Sequence, residues 1–121
     1  MKKQSRTTAG ASEAILKVIR SIPKGKVAAY AAIAAAAGFP RHHRFVVRLL
    51  NLHGRSLPWQ RVVGAGGEIK LRMGSALDQR LRLEMEGVAF RGRKVHPGHI
   101  LSSEELACIG LKSPAAASRH P

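Results

Sequence analysis

Few residues in this 121-residue chain carry side chains suited to making and breaking bonds. Cys108 is the single cysteine, stands in no motif, and is expected to be a small buried or tail residue. His42-His43 and His96-Pro97-Gly98-His99 invite a metal reading. Neither pair comes with the cysteines or acids that complete a ligand set, so no metal site is expected. Gly64-Ala65-Gly66-Gly67 lacks the Gly-Lys-Ser/Thr ending of a phosphate loop, which leaves nucleotide hydrolysis without support. No cofactor is expected. Binding chemistry is what remains: the sole tryptophan, in Pro58-Trp59-Gln60-Arg61-Val62, and cations spread along the chain.

Lysine and arginine total 21 against 7 acids, a formal net charge of +14. So large a charge opposes compaction and points to a polyanionic partner. Nucleic acid is the first candidate, an anionic membrane surface the second and a ribosome-type structural role the third. No apolar run approaches the ~20 residues that a membrane span needs, so no membrane role is expected. Met1-Lys2-Lys3-Gln4-Ser5-Arg6 is basic, but no long apolar stretch follows it, so a secretory signal is not expected either. One cysteine excludes an internal disulfide framework and fits a reducing cytoplasm, with a nucleoid-associated location expected.

Hydrophobic residues make up 45% of the chain, enough for a packed centre at a length that suits one domain. Residues 1–10 read as a basic flexible tail. Ser12 opens a helical stretch in which Ile15, Val18, Ile19 and Ile22 repeat at helical spacing, and Pro23-Lys24-Gly25-Lys26 ends it with turn chemistry. A short alanine-rich helix is expected from Tyr30 to about Ala37, stopped by Gly38 and Pro40. A third runs from Arg41 to about Leu52, with Arg44 and Arg48 near one side and Val46, Leu49, Leu50 and Leu52 on an apolar side. Short helix, tight connection and basic helix together form a helix-turn-helix pattern. Arg61-Val62-Val63 and Glu68-Ile69-Lys70-Leu71, flanking the glycine-rich tip, read as a hairpin that would serve as a wing. A fourth helix is expected from about Ser75 to Glu86, with Leu77, Leu81 and Met85 on one stripe and Gly87 as its stop. Beyond it the chain is less regular, although Ser102 and Glu105 match a helix cap; residues 113–121 read as a frayed tail. The expected fold is therefore mainly α, a single winged helix-turn-helix domain over residues 11–90 with a small β-hairpin wing and an irregular basic extension over 91–121.

Three segments between Ile22 and Gly64 occur in an informative order. They are Ile22-Pro23-Lys24-Gly25-Lys26-Val27-Ala28-Ala29-Tyr30, then Ala37-Gly38-Phe39-Pro40 leading to Arg44, then Leu57-Pro58-Trp59-Gln60-Arg61-Val62-Val63-Gly64. In that order and spacing the chain resembles the DNA-binding domain of O6-alkylguanine-DNA alkyltransferases. It is more closely similar to the alkyltransferase-like proteins, which have tryptophan in place of the reactive cysteine. The transferases need a thiolate within Pro-Cys-His-Arg-Val, with the histidine and a glutamate drawing off the thiol proton. Here Trp59 offers no nucleophile and Gln60 no base, so Glu86 is expected to serve as a structural hydrogen-bonding group.

The resemblance implies a non-enzymatic protein that enters the minor groove of double-stranded DNA and flips O6-alkylguanine into a pocket, marking it for nucleotide excision repair proteins. It implies that Tyr30 presses on the phosphate 3′ to the lesion and that Arg44 fills the vacated base stack. Trp59 would form the pocket wall, and Arg72 would place a cation over the extruded base. Pro58, Gln60 and Arg61 would be pocket-loop scaffold, while Lys24, Lys26, Arg41 and Arg48 would contact phosphates. Family members carry small residues after the arginine; Phe45-Val46-Val47-Arg48-Leu49-Leu50 is bulky, so a shallower seat or a wider groove is expected. A monomer is expected. A winged-helix transcription regulator, a general DNA-binding protein without a lesion pocket and a transferase acting through Cys108 remain as alternatives.

Overall fold

The computed structural model describes residues 2–70 and 73–111. Helix α1 (Lys2–Ser21) presents Ile15, Val18 and Ile19 to the core, and Ile22, just past its end, is buried with them, as their spacing predicts. It begins at Lys2, so residues expected to form a loose tail continue the helix. Pro23 stops it, because a residue preceding proline is disfavoured in helical geometry. A turn follows in which Lys26 N–H donates to Pro23 O and Gly25 takes φ 87°, a left-handed conformation that favours glycine.

Strand β1 (Val27–Ala29) runs directly into α2 (Tyr30–Ala36). This helix ends in a Schellman turn: Gly38 N–H donates to Ala35 O and Phe39 N–H to Ala34 O, with Gly38 at φ 93°. A short connection leads to α3 (His43–His53), whose Val46 and Leu49 are buried against α2 and α1. Leu52, expected on the apolar side, is 70% exposed. The pair α2–α3 is the helix-turn-helix.

The glycine-rich segment does not form the expected hairpin. Strand β2 (Val62–Val63) instead pairs parallel with β1, Ala28 opposite Val62 and Ala29 opposite Val63. Both valines are buried, and a strand covered on both faces suits an interior parallel sheet better than a wing open to water on one side. The chain then folds tightly, Gly64 N–H donating to Glu68 O at 2.7 Å. At Gly67, φ is 88° and an added Cβ would stand 2.8 Å from Val95 O, so no larger residue fits without a shift. Among the described residues the two-stranded hairpin lies further on, between β3 (Phe90–Arg91) and β4 (Lys94–Val95), and Glu68 only bridges to Lys94.

Helix α4 (Met73–Met85) buries Gln79 and Leu83. The expected stripe faces outward: Leu77 is 71%, Leu81 57% and Met85 77% exposed. A second Schellman turn closes α4, with Gly87 N–H donating to Glu84 O and Val88 N–H to Leu83 O. It fixes the direction in which Glu86 leaves the helix.

The segment expected to be irregular supplies strand β5 (Ile100–Leu101), parallel to β1, and α5 (Ser103–Leu111). The sheet order is thus β2-β1-β5. Ser102 and Glu105 form a reciprocal cap, Ser102 N–H donating to Glu105 Oε1 and Glu105 N–H to Ser102 Oγ. Leu101 and Leu106 join the main core with Ile15, Ile19, Ile33 and Val46. The frayed tail expected over 113–121 lies outside the described residues.

Candidate nucleic-acid interface

The Trp59 segment is held from below rather than left as a loop. Leu57 is buried beneath it. Trp59–Arg61 form one 3-10 turn, and Arg61 N–H donates to Pro58 O at 3.0 Å. From α4, the amide nitrogen of Gln79 donates to Gln60 O at 3.1 Å and to Val62 O at 2.9 Å. One buried side chain therefore satisfies the two carbonyls that bracket Arg61, and such groups are costly to leave unpaired away from water.

Arg61, Gln60 and Gly25 converge on the Glu86 carboxylate. Arg61 donates through Nε to Oε1 at 3.0 Å and through Nη2 to Oε2 at 3.1 Å, while its Nη1 reaches Ile22 O at 2.9 Å. Gln60 Nε2 donates to Oε2 at 2.9 Å and Gly25 N–H to Oε1 at 3.2 Å. Burial alone raises the Glu86 carboxyl, but the bonds from Arg61, Gln60 and Gly25 more than offset it, and the group is held below the ordinary carboxylate range. With both oxygens occupied, Glu86 is an anchor between the first turn, the Trp59 segment and α4.

Beside this anchor an open cleft of about 680 Å³ is lined by Leu50, Asn51 and Gly54 at the end of α3, by Trp59, and by Ser75, Asp78 and Arg82 of α4. That volume falls within the range of small-ligand pockets. The Arg82 guanidinium lies 5.5 Å from the Trp59 ring centre, and Asp78 holds it through a 3.1 Å bond one helical turn away. Sequence reasoning did not find Asp78, Gln79 or Arg82. The four-residue spacing of Asp78 and Arg82 was a signal, but reading Leu77, Leu81 and Met85 as the buried stripe turned α4 the wrong way.

The remaining expected residues occupy different places. Tyr30 begins α2, half-buried against the main core, and burial raises its hydroxyl above its ordinary value. Arg44 and Arg48 stand exposed one turn apart on α3, and Arg41 is exposed just before it. Val46 and Leu49 point inward, whereas Phe45, Val47 and Leu50 are only half-covered and Leu52 is exposed, so the bulk of this helix is only partly in the core. Lys24 is exposed, whereas Lys26 donates to Gly98 O at 3.3 Å. Tyr30 and Arg44 do not line the Trp59 cleft. Arg72 lies outside the described residues. Cys108 is exposed on α5 rather than buried. Among the described residues no group of three His, Cys, Asp or Glu could hold a metal, and no helix is long and apolar enough to cross a membrane.

The charge is segregated along the chain. Every acidic residue lies before Ala14 or after Gly67, so the stretch containing α2, α3 and the Trp59 segment carries cations alone. A surface of that kind attracts a phosphate backbone without regard to sequence.

A family model described as 6-O-methylguanine DNA methyltransferase, DNA binding domain, matches residues 11–88. A DNA base-flipping protein of Vibrio parahaemolyticus is 48% identical over 77 residues, covering 61% of this chain and 76% of that one. A DNA base-flipping protein of Escherichia coli is 38% identical over 80 residues, and the match spans 62% of its length and 64% of this chain. Alkyltransferase-like protein 1 of Schizosaccharomyces pombe is 40% identical over 78 residues, covering 61% of this chain and 72% of that one. The crystal structure of S. pombe Atl1 in complex with damaged DNA containing O6-carboxymethylguanine superposes with a TM-score of 0.63 at 29% identity, over 75% of this chain and 94% of that one.

Proposed function

Because this chain belongs to the family of the 6-O-methylguanine DNA methyltransferase DNA-binding domain, we propose that it recognises O6-alkylguanine in duplex DNA by turning the damaged nucleotide out of the stack. The observation that carries this reading is the Trp59 cleft, an aromatic wall on a segment locked to α4 by Gln79 and Glu86. An extruded purine would lie against the indole, with Arg82 and Asp78 bordering the same space. A flat apolar face tolerates substituents of different size on the O6 atom, since it makes few directional demands. The relatives named for base flipping and the likeness to Atl1 bound to damaged DNA support the same reading.

Extrusion costs a few kcal/mol of unstacking and unpairing. The exposed Arg44 at the start of α3 would recover part of it by stacking where the base had been. Tyr30, whose phenol is un-ionised at neutral pH with or without the upward push of burial, can approach the phosphate 3′ to the lesion without like-charge repulsion. Lys24, Arg41 and Arg48 would contact phosphates; Lys26 would do so on releasing Gly98 O. Arg72 is proposed as a further cation near the extruded base.

No alkyl transfer accompanies binding. The indole of Trp59 is no acceptor for an alkyl group, Gln60 donates a hydrogen bond where a base would be needed, and the Glu86 oxygens are already engaged. Cys108 stands on α5, beyond the matched residues. A protein that binds and does not repair acts by handing the site on, so the proposal includes a nucleotide excision repair partner and a monomer in a cytoplasmic, nucleoid-associated setting. The test is a competition between duplexes with and without a single O6-methylguanine, joined to incubation with radiolabelled methylated DNA. Tighter binding to the damaged duplex with no label on the protein is expected; label on the protein would contradict it.

A further inference from the structure

Beyond Val88, where the family match ends, the chain builds a hairpin that the site above does not use. Phe90–Arg91 pairs antiparallel with Lys94–Val95, and Gly92 turns between them at φ 63°. Arg91, Arg93 and Lys94 are all exposed, and no acid occurs from Gly87 to Ser103. Arg91 and Lys94 stand directly opposite each other across the two strands. Like charges in that register destabilise a hairpin. The core does not require them, since Phe90 and Val95 supply its apolar contacts, and of the pair only Arg91 has a side-chain partner, His96 Nε2 at 3.0 Å from its Nη2, among the described residues.

The hairpin is nonetheless held firmly. Arg80 donates through Nη1 to Gly92 O at 3.0 Å and lies 4.2 Å over the Phe90 ring. Glu68 bridges to Lys94, and the Gly67 backbone packs against Val95. Arg93 has no hydrogen bond or ion pair among the described residues. Helix α4 relates this cluster to the cleft: Arg80 faces the hairpin, while Asp78 and Arg82 of the same helix line the cleft. The two surfaces therefore lie on different faces of α4, at least a helix width of ~10 Å apart, a span that a DNA strand with a phosphate every ~3.4 Å along the axis covers in a few nucleotides.

We propose that the Phe90–Val95 hairpin is a second DNA contact, in which Arg93 and Lys94 grip backbone phosphates flanking the nucleotide held at Trp59. The proposal rests on the DNA-binding reading above, and it explains why a like-charged pair is kept on a pinned hairpin: bound phosphate relieves the repulsion. The contact carries no sequence or lesion information, because phosphates are alike at every position.

The experiment is the salt dependence of binding to an undamaged duplex by the full chain and by its Arg93→Ala/Lys94→Ala variant. Each phosphate contact contributes about 0.9 to the slope of log K against log salt, so the variant should lose about 1.8 while melting no lower than the parent. The ratio of affinities for O6-methylguanine and undamaged duplexes should not change. A Lys17→Ala/Arg20→Ala variant removes the same charge from exposed positions of α1 and should leave the slope intact. An unchanged slope in the hairpin variant, or an equal loss in the α1 variant, overturns the proposal. Failure of the lesion reading appears separately, as a ratio of one in the parent protein.

Discussion

Glu86 sits where three stretches of chain meet, and its carboxylate receives Arg61, Gln60 and the Gly25 N–H. Its folded-state value is lowered, so the unfolded chain takes up the proton first as the pH falls. The stability it contributes is complete above the ordinary carboxylate range, ~4.3, and is lost as pH falls through the lower folded value. Glu86→Gln should therefore destabilise the protein by about 2 kcal/mol at neutral pH, since a bond to a charged group is worth ~1.5–3 kcal/mol. It should also flatten the fall in melting temperature below pH 5; thermal denaturation across pH checks both. Trp59→Ala and Arg44→Ala test different steps of recognition. Each is expected to cut discrimination for the lesion by at least about tenfold, or ~1.4 kcal/mol, in binding titrations, with little change in affinity for undamaged DNA from Trp59→Ala.

Helix α4 shows how an element can be located correctly and still be misread. Its extent and its stop at Gly87 follow from the sequence, but its inward face carries Gln79 beside Leu83 while Leu77, Leu81 and Met85 are exposed. A pattern argument assigns leucines inside and glutamine outside, and the two backbone carbonyls that recruit Gln79 are invisible until the chain is folded. Gln79→Leu should thus destabilise the fold by about 1–3 kcal/mol, the cost of stranding buried acceptors, as measured by urea denaturation. The Val62–Val63 strand was misassigned for a related reason: two residues cannot reveal whether their partner lies four residues ahead or a helix-turn-helix behind. Where signals are local the reading holds. The stripe Ile15, Val18, Ile19 and Ile22, the start of α2 at Tyr30 and the Ser102–Glu105 cap all depend on neighbours in sequence. At the site, the Trp59 segment stood out by its motif, whereas its supports on α4 did not. The C-terminal extension, with short strands and no period, became legible only through β5 beside β1 and Leu106 in the main core. Leu106→Ala should cost about 2–5 kcal/mol, a loss that an irregular appendage would not show.

Across the whole molecule, the proposed function divides the work of recognition between charge and cleft. The formal net charge of +14 and the acid-free stretch from Ala14 to Gly67 supply affinity for any duplex, and that part weakens steeply with salt. In the proposed function the Trp59 cleft would supply the preference for a damaged base, through shape and stacking that salt screens much less. Raising the salt should therefore weaken both complexes together while their ratio is kept. The central claim is tested most directly by titrating the protein into two otherwise identical duplexes, one carrying a single O6-methylguanine, at several salt concentrations. The account predicts tighter binding to the damaged duplex at every concentration, by a ratio that stays nearly constant and collapses in Trp59→Ala; equal affinities for the two duplexes throughout would contradict it.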